Sequence, residues 1–499
     1  MQQPVHTPPS TGAPVTTPTM RNGRPRHLYE VDVLRILTFA CVIGVHTTSH
    51  TTAPDNHFYF AALALLHFTR LVFFSLTAFV LVYSYTLRPR PMSEFWPKRF
   101  LLVGVPYLAW SFVYVLSAWL ISSTTRGDVP TLVTTFAHGV VSGTSWYHLY
   151  FLLVTMQVYL LLPAIMWLVR KTRGHHWTLV FVALAVNLAV YSVYKYNYDA
   201  FGGFHGYTKQ FFFMYVFFIV SGAVAADHAE AFLTWVRVKR RLIGWIVLAT
   251  ALATLLVWWL QIVVRGDSLY AAGTPNQPIQ VIWSTVVGLG FLALGAGWAD
   301  RRDPDSRLAK IIDYGSDRSF GIFLSHPFVI WILLYGDSWM ERHVPQPWLT
   351  PVMYVLVVIG AVAVTELFRW TPLSVPLTGR PSLGSRKARA ARRAKAAAAG
   401  AAAASAGTAS VATAGSAGTA SVATAGTASG LEARPASADQ PSVGDVAGSG
   451  TVAGPSDAAP DADVAGGAAD AVPPTGEPLE PDDALVGETD DVGKPYPRS

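Results

Sequence analysis

The sequence predicts an all-α polytopic membrane protein, a bundle of about ten transmembrane helices with disordered cytoplasmic tails at both ends. Three observations carry this. Of 499 residues, 52% are hydrophobic and only 14% are charged, against about 25% charged in a soluble domain, which argues against an ordinary cytosolic enzyme. The apolar residues are also segregated: residues 1–26 and 381–499 hold almost no Leu, Ile, Phe or Trp. Between them, about 28 to 378, apolar runs recur at the roughly 20-residue length that a bilayer demands of a helix. Runs such as 99–121 are too long for core strands, and a span must satisfy its own backbone hydrogen bonds, so helices follow.

In chain order, residues 1–27 are Pro/Thr/Gln-rich, without the apolar region or cleavage pattern of a signal peptide, and read as a disordered tail. Spans are expected near 30–48, 63–86, 100–121, 148–169, 177–194, 210–226, 242–264, 279–298, 319–335 and 348–369. The pairs Trp146–Tyr147 and Trp258–Trp259 suit the membrane–water interface. Lys and Arg of alternate loops set the orientation. The N-tail and even-numbered loops hold 19, including Arg88, Arg90, Arg170, Lys171, Arg237, Arg301 and Arg302, against 5 in the odd-numbered loops. By the positive-inside rule both termini are cytoplasmic, in a multi-pass protein of the cell membrane. Residues 379–499 begin with a basic knot (Arg386, Lys387, Arg389, Arg392, Arg393, Lys395) and continue Ala/Gly/Ser/Thr-rich and then acidic. They cannot bury enough apolar surface to offset their ordering entropy, leaving 28–378 as the membrane domain. The basic knot suits anionic headgroups or a solvated linker equally.

An ionisable side chain inside a span needs a reason. The first span has three: Asp32, Arg35 and His46. Eleven residues at 100° each place Arg35 and His46 on one face, about 16 Å apart along the axis. That suggests a polar cavity in the bundle; the plainer alternative has Arg35 snorkelling to headgroups and His46 ending the helix. His67 and Arg70 share a side of the second span; a structural role is the simpler reading for His67, whereas Arg70 sits inside an apolar run. His148 opens the fourth span, with Gln157 deeper. Asp317, Arg318 and Ser319 open the ninth, which runs on to His326 and Pro327. Pro327 frees a carbonyl one turn earlier. Glu366 and Arg369 are spaced to pair at i, i+3 at the end of the tenth. The single cysteine, Cys41, excludes disulfides and Cys-based metal centres. No phosphate loop, Gly-x-Ser-x-Gly elbow or His-Glu-x-x-His is present, and no helix spaces its histidines as metal ligands, so no metal is expected.

These residues bear a resemblance. Asp32-x-Leu34-Arg35, followed after ten residues by His46, resembles the opening helix of the acyltransferase 3 family of integral-membrane O-acyltransferases. Phe73-Phe74-Ser75-Leu76-Thr77-Ala78-Phe79 is similar to its Phe-Phe-x-x-Ser-Gly-Phe segment, with Ala78 in place of Gly. Lys98-Arg99-Phe100 resembles its basic approach to the third helix, with Leu102 where a second Arg is usual. Ser319-Phe320-Gly321-Ile322-Phe323-Leu324-Ser325-His326-Pro327 resembles its Ser-Tyr-x-Ile-Tyr-Leu-x-His-Pro stretch. The likeness spans about 28–375, without the hydrolase domain that some members append.

The resemblance implies an acyltransferase with no permanently bound cofactor. Its co-substrate is cytoplasmic acyl-CoA, commonly acetyl-CoA, and its acceptor a hydroxyl of a cell-envelope carbohydrate or lipid-linked glycan. Arg35, Lys98 and Arg99 are expected to meet the phosphates of CoA. His46 is expected to act as general base or to carry the acyl group transiently, with Asp32 orienting Arg35. Arg70, His148, Ser319 and His326 are the candidate acceptor-side residues. The expected partners are acyl-CoA, the acceptor, the bilayer and, as one option, a second copy in a homodimer; nucleic acid is not among them. The competing reading is a transporter or flippase exporting a polysaccharide or glycolipid. Carriers usually show paired broken helices in repeated halves, and no such repeat is visible.

Overall fold

The computed structural model describes residues 27–53, 55–335 and 339–385, together with 20–21, 24–25 and Ala394. Most of both tail segments, 1–27 and 379–499, with all six basic residues of the knot, lies outside the described residues. Fifteen α-helices are described: α1 Tyr29–Thr51, α2 His57–Leu66, α3 Thr69–Leu87, α4 Met92–Ile121, α5 Val129–Ser142, α6 Tyr150–Lys171, α7 His176–Tyr196, α8 Val216–Asp227, α9 Ala229–Arg265, α10 Leu269–Ala272, α11 Pro278–Ala299, α12 Arg307–Leu333, α13 Trp339–His343, α14 Leu349–Arg369 and α15 Ser374–Thr378. The 3-10 helices Tyr198–Gln210 and Phe212–Tyr215 precede α8. A two-residue antiparallel pairing, Met20–Arg21 with Arg24–Pro25, is the only strand structure among the described residues.

Eight helical stretches among the described residues are long and apolar enough to cross a bilayer. A ninth is the bent pair 199–210 and 212–227, angled at 73°. The one expected span not among these, 319–335, is the apolar second half of α12, whose first half carries Lys310, Asp313, Asp317 and Arg318. The outer surface is apolar as a lipid-facing surface must be: Trp245 is 70% exposed and Val264 74%.

The helices differ from their expected outlines in instructive ways. The second span breaks at His67–Phe68, between α2 and α3. In a membrane the carbonyls freed by such a break need partners, and α11 supplies them: Gln280 Nε2 donates to Ala64 O at 2.7 Å and Trp283 Nε1 to Leu65 O at 2.8 Å. The bend at Phe211 is served in the same way. Gln157 donates to Gln210 O and accepts from Phe212 N; Asn187 donates to Met214 O and accepts from Phe217 N. Gln157 is therefore a backbone clamp. Helix α9 continues for 37 residues through the basic segment 237–241 expected to be a loop, because Lys and Arg are good helix formers. Likewise α12 starts at Arg307, with Ser306 as N-cap, so Asp317, Arg318 and Ser319 lie well inside that helix rather than at its start.

Helix α1 is central, packing against α2, α3, α11, α12 and α14. Its start approaches α11 so closely that a Cβ on Gly295 would lie 2.5 Å from the Glu30 carbonyl. Gly222 similarly sets α8 against the Ser75 backbone of α3. Small residues that let backbones meet are the usual means of packing helices in lipid. Glu30, fully buried, is paired with Arg237 of α9 at 2.7 Å, and Arg237 also meets Asp300 at 3.2 Å. Glu366 and Arg369 do not pair with each other as their spacing suggested. Arg369 reaches Asp317 at 2.8 Å and Glu366 reaches Arg318 at 2.9 Å, tying α14 to α12 instead.

Candidate active site on the first helix

Helices α1 and α12 run side by side in the same direction, and their facing residues gather two polar clusters, a lower and an upper chamber of side chains rather than open cavities. In the first, Asp32 Oδ1 accepts from Ser316 Oγ at 2.7 Å, and Ser316 Oγ accepts from Arg35 Nη1 at 3.2 Å. Arg35 also lies 3.5 Å from Asp32. His27, just before the helix, holds the other carboxylate oxygen at 2.5 Å. That hydrogen bond to Asp32 raises the His27 pKa above its ordinary value, with burial opposing. Ser319 donates one turn back to Ser316 O at 2.9 Å. Arg380, beyond α15, lies within electrostatic reach of Arg35. Asp32 thus meets Arg35 directly and through Ser316. Arg35 is 26% exposed, so its cationic edge can still meet a ligand.

Eleven residues along α1 from Arg35 and ten along α12 from Ser316, the second chamber brings together His46, His148 and His326. The His46 ring centroid lies 5.3 Å from that of His326 and 4.8 Å from that of Tyr147. His148 lies 5.7 Å from His326. Pro327 has no N–H to give the Phe323 carbonyl; the His326 ring takes its place, Nδ1 donating to Phe323 O at 2.8 Å. That bond places the proton of neutral His326 on Nδ1 and leaves Nε2 as the lone-pair nitrogen. This Nε2 is buried without a hydrogen-bond partner, as is His46 Nδ1. Buried polar atoms are normally satisfied, so these two nitrogens retain unmet hydrogen-bonding capacity. Trp146 and Tyr147 also line this chamber: Tyr147 lies against His46 and Trp146 stacks on buried Tyr114 at 4.8 Å.

A layer of phenylalanines separates the chambers. Phe39, one turn beyond Arg35, packs on Phe73 at 4.4 Å and on Phe323 at 5.8 Å, and Phe151 closes the ring against Phe73 and Phe323. The remaining expected site residues lie elsewhere. Arg70 donates to Asn276 Oδ1 and has Tyr150, Tyr191 and Tyr215 around it; His67 bonds the nearby Gly273 carbonyl at 2.7 Å. Together they grip the segment before α11. Lys98 pairs with Glu94 at 3.4 Å on the surface, and Arg99 lies over the Phe95 ring at 5.4 Å. Both stand on α4 just before Leu102, whose carbonyl approaches Gly379, the neighbour of Arg380. Sequence reasoning missed Ser316, His27 and Arg380. A serine ahead of Asp317 carries no signal until α1 is known to lie opposite it.

A helical membrane bundle with an Arg-to-His stripe buried along its central helix is the class of protein that fold and site define. The chain belongs to the acyltransferase 3 family: the family model, described as an acyltransferase domain, matches residues 28–370. It is a multi-pass membrane acyltransferase. No curated protein and no solved structure matched the chain.

Proposed function

We propose that the chain moves an acyl group, acetyl in the first instance, from cytoplasmic acyl-CoA to a hydroxyl of a cell-envelope carbohydrate or lipid-linked glycan. The observation that carries this reading is the pairing of two chambers on one helix face, a cationic one at Arg35 and an imidazole one at His46. They are about 16 Å apart at 1.5 Å per residue, a separation suited to an extended pantetheine arm. The CoA phosphates bind at Arg35, with Arg380, Arg99 and Lys98 around the mouth. The thioester passes the Phe39–Phe323 layer and stops beside His46. The acceptor hydroxyl lies among His46, His326 and His148. His46 takes its proton as the oxygen attacks the thioester carbon. The new O–C bond forms, the C–S bond breaks, and the proton leaves with the CoA thiolate as CoA-SH. Residues 28–378 are the catalytic unit, and both tails lie on the cytoplasmic side, where the Lys/Arg-rich loops also lie.

The transport reading draws on the 73° break at Phe211, since broken helices mark carrier sites. Here, however, backbone groups at the break are taken up by Gln157 and Asn187, as in a structural bend.

The test uses the full chain in nanodiscs with radiolabelled acetyl-CoA and isolated envelope glycan. Wild type should transfer label to glycan and release CoA. His46→Ala should lower the rate roughly 10²–10⁴-fold with the elution profile unchanged, and Arg35→Ala should chiefly raise KM for acetyl-CoA. An active His46→Ala enzyme ends the base assignment. Glycan movement across proteoliposomes without acyl-CoA turnover replaces the whole reading with transport.

A further inference from the structure

At the Lys/Arg-rich end of the bundle, away from the α1–α12 stripe, two turns distant in sequence bring three ligand-bearing side chains together. His176 opens α7; Asp227 ends α8, and His228 follows it. One ligand atom from each lies within 4.8 Å of the other two. His176 Nε2 donates to the Val169 carbonyl at 2.8 Å, which leaves Nδ1 as its lone-pair nitrogen, and that nitrogen faces His228 Nε2 at 2.7 Å. An imidazole whose outer nitrogen is fixed by a backbone carbonyl and whose inner nitrogen points at further donors is the usual arrangement behind a metal ligand.

We propose that His176, Asp227 and His228 form a binding site for one divalent transition-metal ion of the zinc class. Two imidazoles and one carboxylate suit such an ion, leaving a fourth position for water. Without metal, the two rings share a proton as a hydrogen bond. On binding, the His228 proton moves to its Nδ1, Nε2 turns its lone pair to the ion, and no proton need be released. The rings then part slightly to admit the ion between them. The carboxylate of Asp227 offsets half of the ion's charge. Arg173, 3.8 Å from Asp227 and 61% exposed, turns outward to free it, which moderates the affinity. The ion would clasp the α6–α7 turn to the α8–α9 turn. The spacing of the histidines along any single helix gives no hint of this, because the ligands come from two turns separated by the whole of α7 and α8.

The test uses the full chain, purified without a histidine tag and stripped with EDTA, titrated with Co²⁺ and Zn²⁺. Expected are one Co²⁺ per chain with the visible bands of a four- or five-coordinate site, displaced by Zn²⁺. Affinity should fall at least ~10-fold in His228→Ala and in His176→Ala, and less in Asp227→Asn. His228 is exposed, so His228→Ala remains informative if His176→Ala fails to fold. Stoichiometry and affinity unchanged in His228→Ala, or only the faint spectrum of hexaaqua cobalt with wild type, overturns the proposal.

Discussion

Replacing Arg237 by Ala tests how the site helix is anchored. The Glu30 side chain is fully buried and its Oε1 lies 2.7 Å from Arg237, which is 20% exposed. Removing the guanidinium leaves a carboxylate inside the bundle without its counter-charge, a change that costs about 3–5 kcal/mol. The second contact of Arg237, to the 43% exposed Asp300, adds at most about 1 kcal/mol. Neutralising the orphan should recover part of the loss: in Arg237→Ala/Glu30→Gln only an unpaired amide remains, at about 1–3 kcal/mol. Unfolding in mixed detergent–SDS micelles, followed by tryptophan fluorescence, measures both. Glu30 lies two residues before Asp32 and little more than a turn before Arg35, so the single variant should also raise KM for acyl-CoA as the start of α1 loosens. An Arg237→Ala protein within about 0.5 kcal/mol of wild type, or a double variant no more stable than the single one, would refute this account. Either result would mean that water already reaches Glu30.

Two further outcomes are expected. The His27–Asp32 hydrogen bond raises the His27 pKa from 6.5, so its stabilisation is fully present below pH 6.5 and is lost as pH climbs through the raised value. Thermal midpoints of wild type and His27→Gln should therefore differ at about pH 6 and converge by about pH 9, by a small margin because His27 is 62% exposed; a gap that widens with pH would contradict this. A Gly222→Val side chain would strike the Ser75 backbone and force α3 from α8, costing about 1–3 kcal/mol as overpacking does, visible as a lowered thermal midpoint; an unshifted midpoint would show that the helices can part.

Part of the site is legible in the order of residues. Arg35 and His46 stand out because ionisable groups in hydrocarbon are costly, and their common face follows from helix geometry alone. Pro327 implies a freed carbonyl, and the His326 ring proves to be the donor that serves it. What stays hidden is relational. Glu366 and Arg369 are spaced to pair, yet each prefers a partner on α12, since a contact across helices buries the charges better than one along an exposed helix edge. His148 reads as the start of a span, and only folding sets it beside His326.

Composition and spacing are enough to establish that this chain crosses a membrane as helices, about how many times, and which side chains cannot be there by accident. Those are one-dimensional consequences of the bilayer's thickness and of the cost of charge within it. Where the helices break is decided only in three dimensions, because a break survives in lipid only where a distant Gln, Trp or Asn is present to take up the freed backbone. The same holds for the face of α12 that answers Arg35 and His46, and for the turns that bring His176, Asp227 and His228 together. Such juxtapositions depend on packing between segments far apart in the chain, and no local pattern encodes them.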